Sequence, residues 1–301
     1  MIVRLVIAVV FAIALAAAGL SQGAAVGQSQ GGGQAGQGGQ RGGRGAQPAR
    51  PAPRWPDGKV RLGPAPGEKG LWLPAGGGGE RLVSLDNDGG ERGAGARGGG
   101  AQFPGKISVS QVPFLPWAKA LYAYRNDNQF EPHTRCKPSG GPRQFLTPYG
   151  VDIVERPDLQ RIYIMDLGGP HTWRTIYVNA EHPKNLEPSH YGHSIGRWEG
   201  DTLVVETIGF NEGFWIDRQG LPHTKQLRMI ERFTRTDANT MGYEVIIDDP
   251  GAYSSTWKSG FYLSWRPGEE LFEYVCQDGN LASELMIGAE KSVDRTSEIA
   301  P

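Results

Sequence analysis

Between Gln144 and Cys276 the chain reads as a series of short strands. Runs rich in β-branched and aromatic residues recur at 151–155, 161–167, 173–179, 194–198, 202–210, 227–235, 241–247, 257–265 and 271–276. Turn formers separate them: Glu199-Gly200-Asp201, Asp237-Ala238-Asn239-Thr240 and Arg266-Pro267-Gly268-Glu269 each read as a hairpin connection. With no helical pattern between the runs, the expected arrangement is an antiparallel meander. About nine strands curl into a barrel or split into two sheets. In residues 229–235, Met229, Glu231, Phe233 and Arg235 fall on one face, and Ile230, Arg232 and Thr234 on the other. Glu231 therefore points where Met229 and Phe233 point. Inside a barrel such a carboxylate must be paired or do chemistry; at a wet barrel mouth it is an ordinary solvated side chain.

Ahead of the strands, Pro116 suits the first position of a short helix. Trp117, Leu121 and Tyr124, at i, i+4 and i+7, predict the face that it packs on the sheet. Before residue 103 the pattern changes. The run 27–53 is Gly/Gln-rich and then Pro/Arg-rich, with too few apolar side chains to offset the entropy of ordering. Turn formers such as Trp55-Pro56-Asp57-Gly58 follow, and residues 70–74 read as a short docked strand. The N-terminus has a basic start, Met1 to Arg4, an apolar run from Leu5 to Leu20 and small residues thereafter, the pattern of a secretory signal peptide. The expected organisation is a signal peptide at 1–25, a Gly/Pro-rich leader with a few docked segments at 26–102, a β-barrel-like domain at 103–292 with a closing helix at 281–287, and a tail at 293–301. The fold class is all-β, mainly antiparallel, with one or two short helices. A formal net charge of −1 gives no global attraction to nucleic acid, and no stretch after the signal is apolar enough to span a membrane.

Export changes the reading of the two cysteines. In an oxidising compartment Cys136 and Cys276 are expected to pair. All six histidines lie between positions 133 and 223. His190 and His193 sit in a Pro- and Gly-rich loop just before a strand. Asp217 and His223 follow the next strand, in a loop anchored at the same end of the sheet as His193. Two histidines and a carboxylate suit zinc or non-haem iron. His193, Asp217, His223 and Glu231 also suit acid–base chemistry, with Arg197 stabilising an anion. The plainer alternative is that these histidines bond to loop backbone. His171 reads as a turn or capping residue, and His133 as a neighbour of the disulfide. Asp248-Asp249 before Pro250 reads as a strand-ending turn or as a calcium site. No nucleophile elbow or phosphate-binding loop is present in the required context.

Several segments together are similar to a family of secreted bacterial proteins common in acidobacteria and their relatives. They include 112–124, Pro132 to Cys136 with Gly141-Pro142-Arg143, Gly192 to Val205, Gly209-Phe210-Asn211, Leu221-Pro222-His223, Glu231-Arg232-Phe233, Asp248-Asp249-Pro250 and Tyr274-Val275-Cys276. The resemblance covers about residues 110–290 and implies a secreted β-rich domain without a catalytic assignment. The Gly-x-Trp-x-Gly-Asp hairpin at 196–201 also resembles segments of lipocalin-type barrels.

Three functions fit. One is a periplasmic or secreted barrel that binds a small apolar or amphipathic molecule, with Trp198, Phe210, Phe214, Trp215 and Phe233 as wall residues. The second is a hydrolase, lyase or isomerase on the same scaffold using the His/Asp/Glu set. The third is a tethered cell-surface structural protein. The clustering of small residues after the apolar run predicts that the exported chain begins between Gln22 and Gln28. The intact mass of protein taken from the periplasm checks this, and a retained Met1 refutes it.

Overall fold

The alternation in residues 229–235 is that of a barrel wall. A computed structural model describes residues 49–75, 81–86, 105–167 and 172–276. The chain divides into two units, 1–46 and 47–301. The first lies outside the described residues, as do His171 and the helix expected at 281–287. The second unit is built on nine strands: β1 (Gly70–Pro74), β2 (Val151–Arg156), β3 (Arg161–Asp166), β4 (Trp173–Val178), β5 (His193–Glu199), β6 (Thr202–Ile208), β7 (Arg228–Arg235), β8 (Thr240–Asp248) and β9 (Trp257–Pro267). They form a closed barrel in chain order.

Two features depart from a simple meander. β4 and β5 run parallel, with Ile176 opposite Ser194, so residues 179–192 carry the chain from one end of the barrel back to the other. The segment Gly70–Pro74 enters the barrel as β1, whereas residues 271–276 form no strand. β1 pairs with β9 along its length and with β2 at Trp72 and Val151, which closes the ring. Residues 271–276 are held instead by the disulfide between Cys136 and Cys276, 140 positions apart.

Among the described residues the interior is packed with side chains. Trp72, Ile153, Ile164, Phe233 and Tyr243 point inward and are fully buried. Residues 139–147 are buried as well, and Phe145 reaches the middle, with its ring 5.5 Å from Phe233 and 4.9 Å from Tyr243. This plug enters at Gly141, whose φ of +53° is left-handed and whose missing side chain leaves room for Met229. Among the described residues no helix is long and apolar enough to cross a membrane. The expected helix is α1 (Pro116–Asn128), with Pro116 in its first turn. Its buried face is turned about a quarter of the way round from the one its aromatics predict, with Leu121 half-buried between the two. Ala118 and Arg125 are buried, while Trp117 and Tyr124 are each 44% exposed. A small Ala118 permits close approach, and the Arg125 guanidinium lies over the Trp215 ring, 4.9 Å from its centroid.

Polar groups share the interior. Arg174 (β4) donates through Nη1 to Glu231 Oε1 (β7) at 2.9 Å, and through Nη2 to Glu231 Oε2. The same guanidinium bonds Ser194 (β5) at 2.8 Å and Thr207 (β6) at 2.6 Å. Tyr243 (β8) donates to Glu231 at 2.9 Å. Five consecutive strands thus contribute one residue each. A buried pair that loses one partner leaves an uncompensated charge. Arg174→Met is therefore expected to cost about 3–5 kcal/mol, and Arg174→Met with Glu231→Leu to regain most of it. Urea unfolding of the two variants checks this; a double variant no better than the single one contradicts it.

Candidate functional site

The four side chains nominated for chemistry each have partners of their own. Glu231 belongs to the Arg174 network in the barrel interior. Asp217 is fully buried in the loop between β6 and β7. Its carboxylate accepts backbone N–H bonds from Leu82 at 3.2 Å, Gln219 at 3.1 Å and Leu221 at 3.2 Å, so it fastens two segments over one barrel end. Burial pushes its carboxyl up to about 6, against the pull of those amides. His223 lies in the same loop. Its Nε2 faces the Phe214 carbonyl at 3.0 Å and its Nδ1 the Thr224 carbonyl at 3.3 Å, and burial lowers it to about 4. His193 stands on the outer face of β5. Its ring stacks on Tyr177 at 4.7 Å and its Nδ1 is hydrogen-bonded to Nδ1 of His182 at 2.9 Å. Burial, and then the neighbouring His182, hold it below the usual histidine range.

The remaining nominees divide in the same way. Arg197 is exposed and bonds Glu199 at 2.9 Å. Phe210, Phe214, Trp215 and Phe233 are buried core. Asp249 accepts from the backbone and hydroxyl of Thr224, both at 2.6 Å, as a turn-fixing carboxylate does. Among the described residues no group of three or more His, Cys, Asp and Glu side chains is gathered to hold a metal ion; His193, Asp217 and His223 therefore do not form the zinc or iron shell that their positions suggested. The fold leaves His193 on the outer face of β5, buries Asp217 and His223 in one loop, and gives each a local partner.

Trp198 is different. It faces inward at the opposite end, the rim that carries the β5–β6 turn, and lines a groove of about 590 Å³ there. The other walls are Ile162 and Val178, the β2–β3 turn with Gln160 and Arg161, Asn179 after β4, and Trp55 with its turn. The turn at 55–58 is the one its Pro-Asp-Gly sequence predicts: Gly58 N donates to Trp55 O at 2.9 Å with a φ of +86°. Arg54 anchors it through paired bonds to Asp201 of the β5–β6 turn at 2.8 and 2.6 Å. The Arg61 guanidinium lies 3.6 Å from the Trp55 ring centroid.

Beside the groove, residues 61–63 cross the mouth as a strap. Glu155 accepts the backbone N–H of Leu62 at 2.8 Å and of Gly63 at 2.9 Å, and the Trp55 indole N–H at 3.2 Å. Arg235 donates to the carbonyls of Arg61 at 3.0 Å and Gly63 at 2.8 Å, and Trp72 to that of Leu62 at 2.8 Å. Every one of these strap groups is satisfied, as a segment crossing an apolar interior requires. A side chain at Gly63 would run into the Ile153 carbonyl oxygen, so the strap lies this close only because that position is glycine. Burial holds the Glu155 carboxyl above its usual range.

No family model, curated protein or solved structure matches the chain. The resemblance to secreted bacterial proteins therefore rests on its sequence segments alone. What the structure adds is a closed nine-strand barrel, broadly lipocalin-like in shape.

Sequence reading missed Trp55, Glu155, Gln160, Arg161 and Asn179 as groove residues. One local signal was available for Trp55, an indole inside a Pro-Asp-Gly turn. The others meet only because strands far apart in sequence share a rim.

The buried titratable groups set a pH dependence. His223 and His133 are both pushed down to about 4, chiefly by burial. Each contributes stability that is complete above the free-histidine value of about 6.5 and lost as pH falls toward 4. Asp217 works in the opposite sense: its contribution is complete below about 3.8 and lost as pH rises through 6. Relative to the parent, His223→Asn should flatten the loss of stability between about pH 7 and 4.5, and Asp217→Asn should steepen it. Urea midpoints across that range check both slopes; unchanged slopes contradict the assignment.

Proposed function

We propose that this chain is an exported barrel that binds a small amphipathic molecule in the rim groove between Trp55 and Trp198. One observation carries the reading: two indoles line a groove of about 590 Å³, within the roughly 300–1,000 Å³ usual for small-molecule sites. Its aliphatic walls, Ile162 and Val178, stand beside polar groups from the β2–β3 turn and Asn179, the mixture that an amphipathic ligand needs.

Export is supported by the signal-like start and by the Cys136–Cys276 disulfide. Ligand binding is favoured over chemistry because Asp217, His223 and Glu231 are occupied in holding the fold. It is favoured over a purely structural role because the groove joins five separate parts of the chain in one concavity.

Anilinonaphthalene sulfonate, an amphipathic fluorophore, serves as the probe on the processed protein. Saturable binding is expected, weakened about tenfold by Trp198→Ala or Trp55→Ala, the loss typical of an aromatic anchor. Trp173→Ala, an indole 59% exposed on β4 and outside the groove, is expected to leave it unchanged. Binding that all three variants share with the parent would refute the reading.

A further inference from the structure

The groove's chemistry narrows the ligand. The following rests on the binding reading above. Depth comes first. The barrel below the rim is filled by Trp72, Phe233, Tyr243 and the inserted Phe145, and the strap at 61–63 is bonded across the mouth. Among the described residues these side chains and the strap stand where a long acyl chain would enter from this groove, so a ligand here lies along the rim.

Charge comes second. The ionic groups in the wall already have partners within the protein. Asp57 pairs with Lys59 at 3.0 Å and Asp158 with Arg156 at 2.7 Å. Glu155 holds the strap and Trp55. Arg161 donates to the carbonyls of Leu159 at 3.2 Å and Gln160 at 2.9 Å, and its guanidinium lies 4.3 Å from the Tyr177 ring centroid. The wall carboxylates and Lys59 are thus already bonded within the protein, and a ligand that brings no charge of its own leaves every one of these bonds in place.

The third observation is an amide pair. Gln160 and Asn179 are two of the three non-glycine residues with positive φ among the described residues, at +55° and +53°. Both line the groove. Asn179 Nδ2 donates to Gln160 Oε1 at 3.2 Å. That bond fixes both amides and leaves the Gln160 nitrogen as a donor and the Asn179 oxygen as an acceptor. Neighbouring hydroxyl groups on a ring, each able to donate and accept, match this combination. Left-handed backbone at two non-glycine positions costs free energy and persists where the surroundings enforce it.

We infer that the rim groove binds a neutral saccharide. A pyranose ring has an apolar face of C–H bonds and a polar edge of hydroxyls. Its face lies against Trp198 or Trp55, and its edge meets Gln160 and Asn179. No bond is made or broken.

The test uses the processed, disulfide-bonded protein with anilinonaphthalene sulfonate bound. Cellobiose, maltose and diacetylchitobiose are the saccharide probes, and dodecanoate is the lipid comparator. At least one disaccharide is expected to displace the fluorophore, with dodecanoate ineffective. Direct titration of that disaccharide by calorimetry should show affinity falling about tenfold in Trp198→Ala and in Gln160→Ala. Far-ultraviolet circular dichroism shows whether each variant is folded, and Asn179→Gly, which suits a left-handed backbone while removing the amide, supplies a second polar-edge variant. If fluorophore binding depends on Trp198 but dodecanoate alone displaces it, the saccharide class is overturned and the groove reading stands. If a disaccharide binds but neither indole variant weakens it, the groove reading falls and this inference with it.

Discussion

The Arg174–Glu231 pair is the constraint around which the barrel is organised. Two opposite charges with no exposure are held in an apolar interior by bonds from Ser194, Thr207 and Tyr243. Taking such ions out of water is costly, and the cost is offset only if every member of the network is in place. A slip of one residue in any of strands β4 to β8 would carry its polar group to the outer face and leave the rest unpaired. The network therefore fixes register across more than half of the ring. It also occupies the space in which a barrel of this shape would hold a ligand.

The remainder of the interior follows from that filling. Phe145 and the buried segment around it occupy the middle from one end, where Asp217 fastens the covering loop to Leu82. At the other end the strap at 61–63 is clamped between an acid, Glu155, and a base, Arg235. With both approaches to the centre blocked, concave surface is left at the rim, beside the strap. The position of the groove is thus a consequence of packing. Trp55 and Trp198 converge because the Arg54–Asp201 bonds hold the leader's turn against the β5–β6 hairpin.

The histidines illustrate how position in sequence misleads about chemistry. His193 and His223 flank the same strand pair and both lie at the barrel end opposite the groove. Yet one is on the outer face against Tyr177, and the other is buried against Phe214. Burial lowers both, so neither is biased toward carrying a proton at neutral pH. Loop histidines whose ring nitrogens face backbone carbonyls, as His223 does, act as fasteners.

The sequence by itself determined what is local. Strand limits from residue 151 to 265 are legible within about two residues, because alternation with period two is written in each strand separately. The inward face of β7, including Glu231, follows from the same alternation, and the turn at 55–58 from its Pro-Asp-Gly chemistry. The disulfide follows from cysteine count and compartment. Tertiary structure alone decided which strand closes the ring, that β4 and β5 run parallel, which face of α1 is buried, and that residues 139–147 plug the interior. Each of these depends on pairing between segments up to about two hundred positions apart, such as Trp72 with Trp265, and such pairing leaves no periodic trace in either segment. The groove belongs to this second class. Its residues come from the leader, β2, β3, β4 and β5, and only the closed barrel brings them to one rim.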